Sequence, residues 1–594
     1  MGIDMKVTHT GKTVDFTHYA PLAVGNGSLS LLVDEYGSAR DRKFCANKFK
    51  GGIWIAGVRY DKLLFPLVPF GEFRDSCVEN DTLTEWSQTF DITGACVENI
   101  CSYSSGNKLL TRVWTPTGHD LIIIEKEILE EGTSPVAEIY SFAPPRTVLD
   151  FIDEKTTAFE IDTFTPVTGE ISFFTVEGEA EFTRNKETVS GVMKSRRVVF
   201  VLAFDVKAKE YALSHTFESL KKEHEADWQS FWDESTVPRD LPERLELAAR
   251  TSEYHLRISS TNWSIPTGIY PTHWDGKYFG FDVYFAVMGL LRSGHTQVAA
   301  KVPRHYFNLL DTALRRNYRY FGVSGSAARY YWVGLELPVQ AEGTGGGFWL
   351  EHVFHMTHIG LVAEACAAAL NDPEYTRNIA YPVMRGCAEF FRLHQVYDLD
   401  GRRYIIGKCT DLERLGAGRE NPFMTSCGAI ALFRKTADMA EKLGCDAELA
   451  AEWRKMADGL LLTLPHNGEN YLPYPGCPDP SIALFSGLYP YEVLDPSDTR
   501  LQKGIDWFCR NERKFGNMYP TGNALCIWYA GWKALTLLRQ GKKDEAKAIV
   551  NYMAESTGQF GEVFEIYETC DHPWFTTAEG IYLQSLCECF AEEK

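Results

Sequence analysis

Near His215 the sequence changes texture, and this change restricts the folds open to the chain more than any other feature. Before it, stretches such as SLSLLVDEYGS, DLIIIEKEIL, AFEIDTF, EISFFTVEGEAEFT and RRVVFVLAFDVKA alternate apolar and polar residues or run apolar for a short span. Gly, Asn and Asp punctuate them, and helical periodicity is absent, so they read as strands of an antiparallel β-sandwich. After it, HTFESLKKEHEADWQSFWDES is amphipathic at the helical period, and TVPRDLPERL reads as a linker. Twelve helical segments are then expected, beginning near Leu241, Asp282, Thr296, Glu351, Glu374, Asn421, Asp446, Pro480, Ser497, Thr521, Lys543 and Trp574. Six helical hairpins can close into an (α/α)6 toroid whose inner-helix ends surround a pocket. A TIM barrel would need strands between these helices. The expected organisation is a β-sandwich over residues 1–214, a helical linker over 215–240 and a catalytic barrel over 241–594.

A chain of 594 residues is too long for one ordinary core, which fits that division. Its net charge of −20 opposes a nucleic-acid or anionic-membrane partner, whose phosphates would be repelled. No window approaches eighteen apolar residues, so no membrane span is expected, and MGIDMKVTHTGK is no signal peptide. The 15 cysteines are an odd number without CxxC pairs, mostly in apolar helical surroundings. They read as reduced, buried thiols, and the expected location is the cytoplasm.

GxGxxG after a strand, GxxxxGK[ST], HExxH and GxSxG are all missing. EGTGGGFW is glycine-rich but follows no apolar strand and carries no lysine, so it reads as a loop rimming a site. In EHVFHMTH, His352, His355 and His358 fall at i, i+3 and i+6 of a helix. No carboxylate completes that face for a metal, and the reading is core or pocket-lining histidines. What remains is carboxylates in loops flanked by rings. GQFGEVFEIYETCDHPWFTTAEG carries five acids and no Lys or Arg; IIGKCTDLERLGAGRENPFMTS carries Asp411 and Glu413; THWDGKYFGFDVYFAVMGLL carries Asp275 and Asp282. Each has a plainer reading as helix caps or solvated loop charge.

Five stretches, in order, resemble the six-hairpin glycosidases, most closely glycoside hydrolase family 65, with echoes of families 95, 63 and 15. They are VGNGSLSLLVDEYG; EHEADWQSFWDES with LAARTSEYHLRISS; FDVYFAVMGLLRSGHTQVAAKVPRHY; AARYYWVGLELP with FWLEHVFHMTHIGLV; and TTAEGIYLQSL. The third is similar to the family's "WD" segment, with Phe281 in place of Trp before Asp282. The family's general acid is a Glu eight residues before an Asn-x-aromatic helix start. Counting back from Asn421 carries that role to Glu413, with Asp411 as competitor because the chain reads CTDLER where the family has GPDEY. GQFGEVFEIY is similar to the base-bearing G-x-x-x-E-x-aromatic segment of glucoamylase-type enzymes, which carries the base to Glu562. Where family phosphorylases have a His in EGIH, this chain has Tyr582 in EGIY.

The resemblance implies an inverting, exo-acting glycoside hydrolase, α-glucosidase-like on short oligosaccharides or glycosides. One protonated carboxyl would serve the leaving oxygen and one carboxylate would activate water. Trp274, Trp349 and Trp574 are the expected stacking platforms, Asp275 and Asp282 the expected hydroxyl acceptors, and His352 a pocket-lining residue. The expected partner is a small carbohydrate, with no metal and no cofactor. Homo-oligomerisation stays open, as do two alternatives: a glycoside phosphorylase of the family 65 type and a non-catalytic carbohydrate-binding relative.

Overall fold

The computed structural model describes residues 5–12, 19–44, 49–60, 63–142, 147–161, 167–268, 278–321, 326–330, 352–412, 415, 417–512 and 526–591. Strands such as Cys96–Tyr103 alternate buried and half-buried side chains along their length, as a strand with one face on a core must. They form two antiparallel sheets. A nine-stranded sheet has Lys6–Gly11 and Thr147–Phe151 at its edges, and a seven-stranded sheet has Ala180–Asn185 and Leu22–Gly25. Phe90, Val97, Phe173 and Phe200 of the first share a core with Leu31, Ile53, Phe73 and Tyr140 of the second. This is a β-sandwich followed by a helical half.

The stretch RRVVFVLAFDVKA holds a strand and the start of a helix, not one strand. The strand ends at Ala203, and helix α1 covers Val206–Ser214. The reason is local: the Asp205 carboxylate accepts from the Ala208 amide at 2.6 Å, a side-chain cap for a free helical N–H. Helix α2 (Phe217–Glu234) then buries Phe217, Leu220, His224, Trp228, Phe231 and Trp232, a stripe of three- and four-residue spacings. Trp228, Phe231 and Trp232 enter the sandwich core together with Leu247, Tyr254 and Ile258 of helix α3 (Glu243–Ser259). Tyr254 also donates to the Ala23 carbonyl at 3.0 Å. At Gly27, φ is +86° and a Cβ would stand 2.2 Å from the Ser260 carbonyl oxygen, so only glycine allows that approach. The sandwich core therefore extends onto α2 and α3, beside a second core in the helical half.

The remaining helices are α4 (Val283–Arg292), α5 (His355–Leu370), α6 (Tyr381–Phe390), α7 (Phe423–Leu443), α8 (Ala447–Leu461), α9 (Thr499–Asn511), α10 (Ile527–Arg539), α11 (Lys543–Glu555) and α12 (Thr576–Phe590). A single segment was expected at Thr296, and three short pieces stand there: Thr296–Ala299, Lys301–Asn308 and Leu310–Phe321. At Pro480 the expected helix is a six-residue 3₁₀ turn, Ile482–Gly487. The apolar run there is bounded by Pro480 and Pro490 and is too short to recover the cost of nucleating an α-helix. The expected starts at Glu351 and Thr521 lie outside the described residues. No helix among the described residues is long and apolar enough to cross a membrane, and fourteen described cysteines are free thiols.

Helices pack in sequence-adjacent pairs, α7 with α8 and α10 with α11, while α12 packs against α3, α4 and α10. The closest approach is between α4 and α12. A Cβ on Gly289 would lie 2.4 Å from the Gly580 carbonyl oxygen, and one on Gly580 would lie 2.3 Å from the Phe285 carbonyl oxygen. Both obstacles are backbone, so neither can rotate away. Gly289→Ala and Gly580→Ala are expected to destabilise the fold by about 1–3 kcal/mol each, from overpacking, read as a lower midpoint in chemical denaturation. A midpoint equal to the parent's would show that the helices can separate freely.

Candidate active site

The three acidic loops and their helices meet at one small cavity. Its walls are Thr267, Phe279, Phe281, Asp282, Phe354, Leu412, Trp528, Tyr529, Glu565 and Phe575. Asp282 stands immediately before α4 and is half-buried, and its Oδ1 accepts from Thr577 Oγ in the first turn of α12 at 3.1 Å. Phe281 forms the floor. It meets Phe354 edge-on at 4.8 Å and stacks on the His358 ring at 4.4 Å. Leu412 brings the CTDLER loop to the rim. Trp274, Asp275, Trp349, Glu413 and the EGTGGGFW loop lie outside the described residues.

The segment running from Gly558 to Trp574 presents Glu565, and not Glu562, to this cavity. Glu562 is fully buried behind it, and its Oε2 accepts from the Phe560 amide at 2.9 Å while Oε1 has no hydrogen-bond partner. Burial pushes this carboxyl up to about 7. The surrounding loop is locked to α3. Arg244 donates to the Thr557 and Gly558 carbonyls at 2.7 and 2.6 Å, and Thr251 donates to the Phe560 carbonyl at 2.8 Å. Beyond it, Phe564–Ile566 pairs with Asp571–Pro573 as a short hairpin. Alternation along that strand sends Phe564 into the sandwich core and Glu565 to the other side, toward the cavity. His572, across the hairpin, brings Nδ1 to 2.5 Å from Glu565 Oε2. Cys570, His572 and Trp574 all hold positive φ (51°, 47° and 60°), an uncommon backbone for non-glycine residues and dearest for bulky ones. A signal for Glu565 was present in the sequence: the pattern G-x-x-x-E-x-aromatic is met twice, from Gly558 to Phe564 and from Gly561 to Tyr567.

Two further expectations need correcting. Trp574 is fully buried, packed with Phe560 and Phe564 in the sandwich core, and offers no ring face to a sugar. Asp411 points away from the cavity into the start of α7, where its Oδ1 accepts from the Thr425 amide at 3.0 Å and the Thr425 hydroxyl at 2.6 Å. It is a helix cap supplied from outside the helix, and burial pushes its carboxyl up to about 7. His352, His355 and His358 are buried. His355 Nε2 lies 3.1 Å from the Tyr330 carbonyl and His358 Nδ1 lies 2.8 Å from the Phe281 carbonyl. Burial lowers all three, His355 and His358 to about 3, so they are neutral packing groups behind the floor. Glu579 pairs with His255 at 2.7 Å in full burial. Burial raises Glu579 and lowers His255 to about 3. Among the described residues no group of His, Cys, Asp and Glu could hold a metal ion.

No family model matches the sequence. A solved structure assigned as a kojibiose phosphorylase from the human microbiome superposes with a TM-score of 0.72 at 10% identity, covering 98% of this chain and 90% of its own. The chain shares the overall fold of this structure. A bacterial glucoamylase complexed with acarbose gives a TM-score of 0.60 at 12% identity, with 98% of both chains covered. In sequence, a periplasmic/secreted acid trehalase of Candida glabrata is 21% identical over 399 residues, 62% of this chain and 31% of the relative. An alpha,alpha-trehalose phosphorylase of Thermoanaerobacter brockii is 24% identical over 324 residues, 53% of this chain and 38% of the relative. The chain spans about a third of the length of the curated relatives it matches.

The buried carboxyls make stability depend on pH. Asp411 and Glu562 hold their protons to about pH 7 when folded but ionise near 4 when unfolded. Their stabilising contribution is therefore full below about pH 4 and is lost as pH rises to about 7. Asp411→Asn and Glu562→Gln are expected to flatten this fall in melting temperature between pH 4.5 and 7.5. An unchanged slope in both variants would show that these groups are already ionised in the fold.

Proposed function

We propose that the helical half closes as an (α/α)6 toroid around the Asp282–Glu565 cavity, and that the chain is an inverting, exo-acting glycoside hydrolase on short α-glucosides. The observation that carries hydrolysis is the charge of the cavity. Its described walls hold two carboxylates and no Lys or Arg, a setting that repels phosphate and suits water as the nucleophile. Glu565 is the general base, held by the hairpin with His572 beside its carboxylate. Glu413, next in sequence to the rim residue Leu412, is the general acid. A separation of about 6.5–9.5 Å between the two would leave room for the attacking water. Asp282 accepts from a sugar hydroxyl, and Trp528 and Phe575 give the cavity apolar wall against which a pyranose can lie. The trehalases, the trehalose phosphorylase and the glucoamylase among its relatives support an α-glucosidic substrate. The free thiols support a reducing compartment, the cytoplasm.

The reading is tested with a panel of α-glucosides, trehalose included. Glu565→Gln and Glu413→Gln are each expected to lower kcat by about a thousandfold or more, while Glu562→Gln keeps most of the activity. The first product seen by NMR should be the β-anomer of the released sugar. Turnover that requires phosphate and releases a sugar 1-phosphate would establish a phosphorylase instead. Sugar binding without turnover across the panel would establish a binding protein.

A further inference from the structure

A cavity of about 530 Å3 lies elsewhere, at the joint where the sandwich, α2, α3 and the pieces after α4 meet. A volume of this size at a junction of structural units suits a small-molecule ligand. Its polar lining is unevenly satisfied. Every acid in it already has a partner. Asp227 pairs with Arg257 at 2.5 Å, and Asp205 caps α1. Asp120 is hydrogen-bonded by Ser28 and Asn26, and Glu234 lies 3.8 Å from His295. Two ammonium groups in the lining, half-buried Lys301 and exposed Lys207, have no hydrogen bond or ion pair among the described residues. Two buried groups of the lining, Ser260 Oγ and Trp228 Nε1, likewise have no hydrogen-bond partner. A buried polar group without a partner is costly.

We propose that this cavity binds a small hydroxyl-bearing anion of the sugar phosphate class, with Lys301 and Lys207 taking the phosphoryl group. The two ammonium groups without an ion pair suit an anion, and the unpaired hydroxyl and indole N–H, with Asn262 and Gln297 beside them, suit a hydroxylated body. A bare inorganic anion would leave those groups unanswered. The site is independent of the reaction assigned to the Asp282–Glu565 cavity, with which it shares no lining residue. Burial and the Arg257 guanidinium lower the Lys301 ammonium.

The test is isothermal titration calorimetry of the full chain with glucose 6-phosphate, inorganic phosphate and glucose. The expected result is saturable binding of glucose 6-phosphate, weakened about tenfold or more in Lys301→Gln, as expected for loss of a charge-assisted contact. Glu565→Gln should bind it as the parent does. An unchanged melting temperature of unliganded Lys301→Gln keeps a folding defect from imitating the result. The proposal is overturned if glucose 6-phosphate does not saturate, if inorganic phosphate or glucose binds as tightly, or if Lys301→Gln binds as the parent does.

Discussion

The candidate site depends on two helix backbones touching. Gly289 of α4 and Gly580 of α12 bring main chain against main chain, with no side chain able to stand between them. Asp282 stands one residue ahead of α4, and Thr577, which donates to it, lies in the first turn of α12. The glycine contact therefore sets the spacing of the two chain segments that supply Asp282 and the Glu565 hairpin. The hairpin's far end is pinned as well, since Thr576 donates its amide to the Thr267 carbonyl and its hydroxyl to the Pro266 carbonyl, at 3.1 and 2.6 Å. Positioning comes from packed backbone, which has few alternative arrangements.

Much of the fold was legible because its signals are periodic. The alternation in Cys96–Tyr103 and the spaced apolar stripe of α2 each repeat often enough to outweigh local noise. The exceptions turn on single residues. Asp205 starts a helix inside a stretch that otherwise reads as strand, and two prolines cut the run after Pro480 down to one short turn. A lone cap or a pair of prolines leaves the period unchanged, so pattern alone passes over them.

The site was less legible, since it depends on which way a few side chains face. Glu562 and Glu565 satisfy the same local pattern three residues apart, and in an irregular segment that spacing says nothing about direction. Only the pairing of Phe564–Ile566 with Asp571–Pro573 separates them, and that pairing needs a backbone with three positive-φ residues, none of them glycine. Asp411 looked like a candidate acid because it is a carboxylate in a loop. Its partner, Thr425, lies fourteen residues away on α7, beyond the reach of a local reading. Trp574 shows the ambiguity of aromatic residues most plainly: the same ring can carry a sugar or fill a core, and here it fills the core.

The segment from Gln559 to Trp574 belongs to both halves at once. His9, in the first strand, approaches the Gln559 carbonyl at 3.0 Å and meets the Phe560 ring edge-on. Phe560, Phe564 and Trp574 fill the sandwich interior, while Glu565, between them in sequence, faces the cavity. The sandwich is thus no detachable module. Recombination that exchanged it for an unrelated accessory domain would remove the packing that aims Glu565, so the two halves are expected to be inherited, and to diverge, as a single unit.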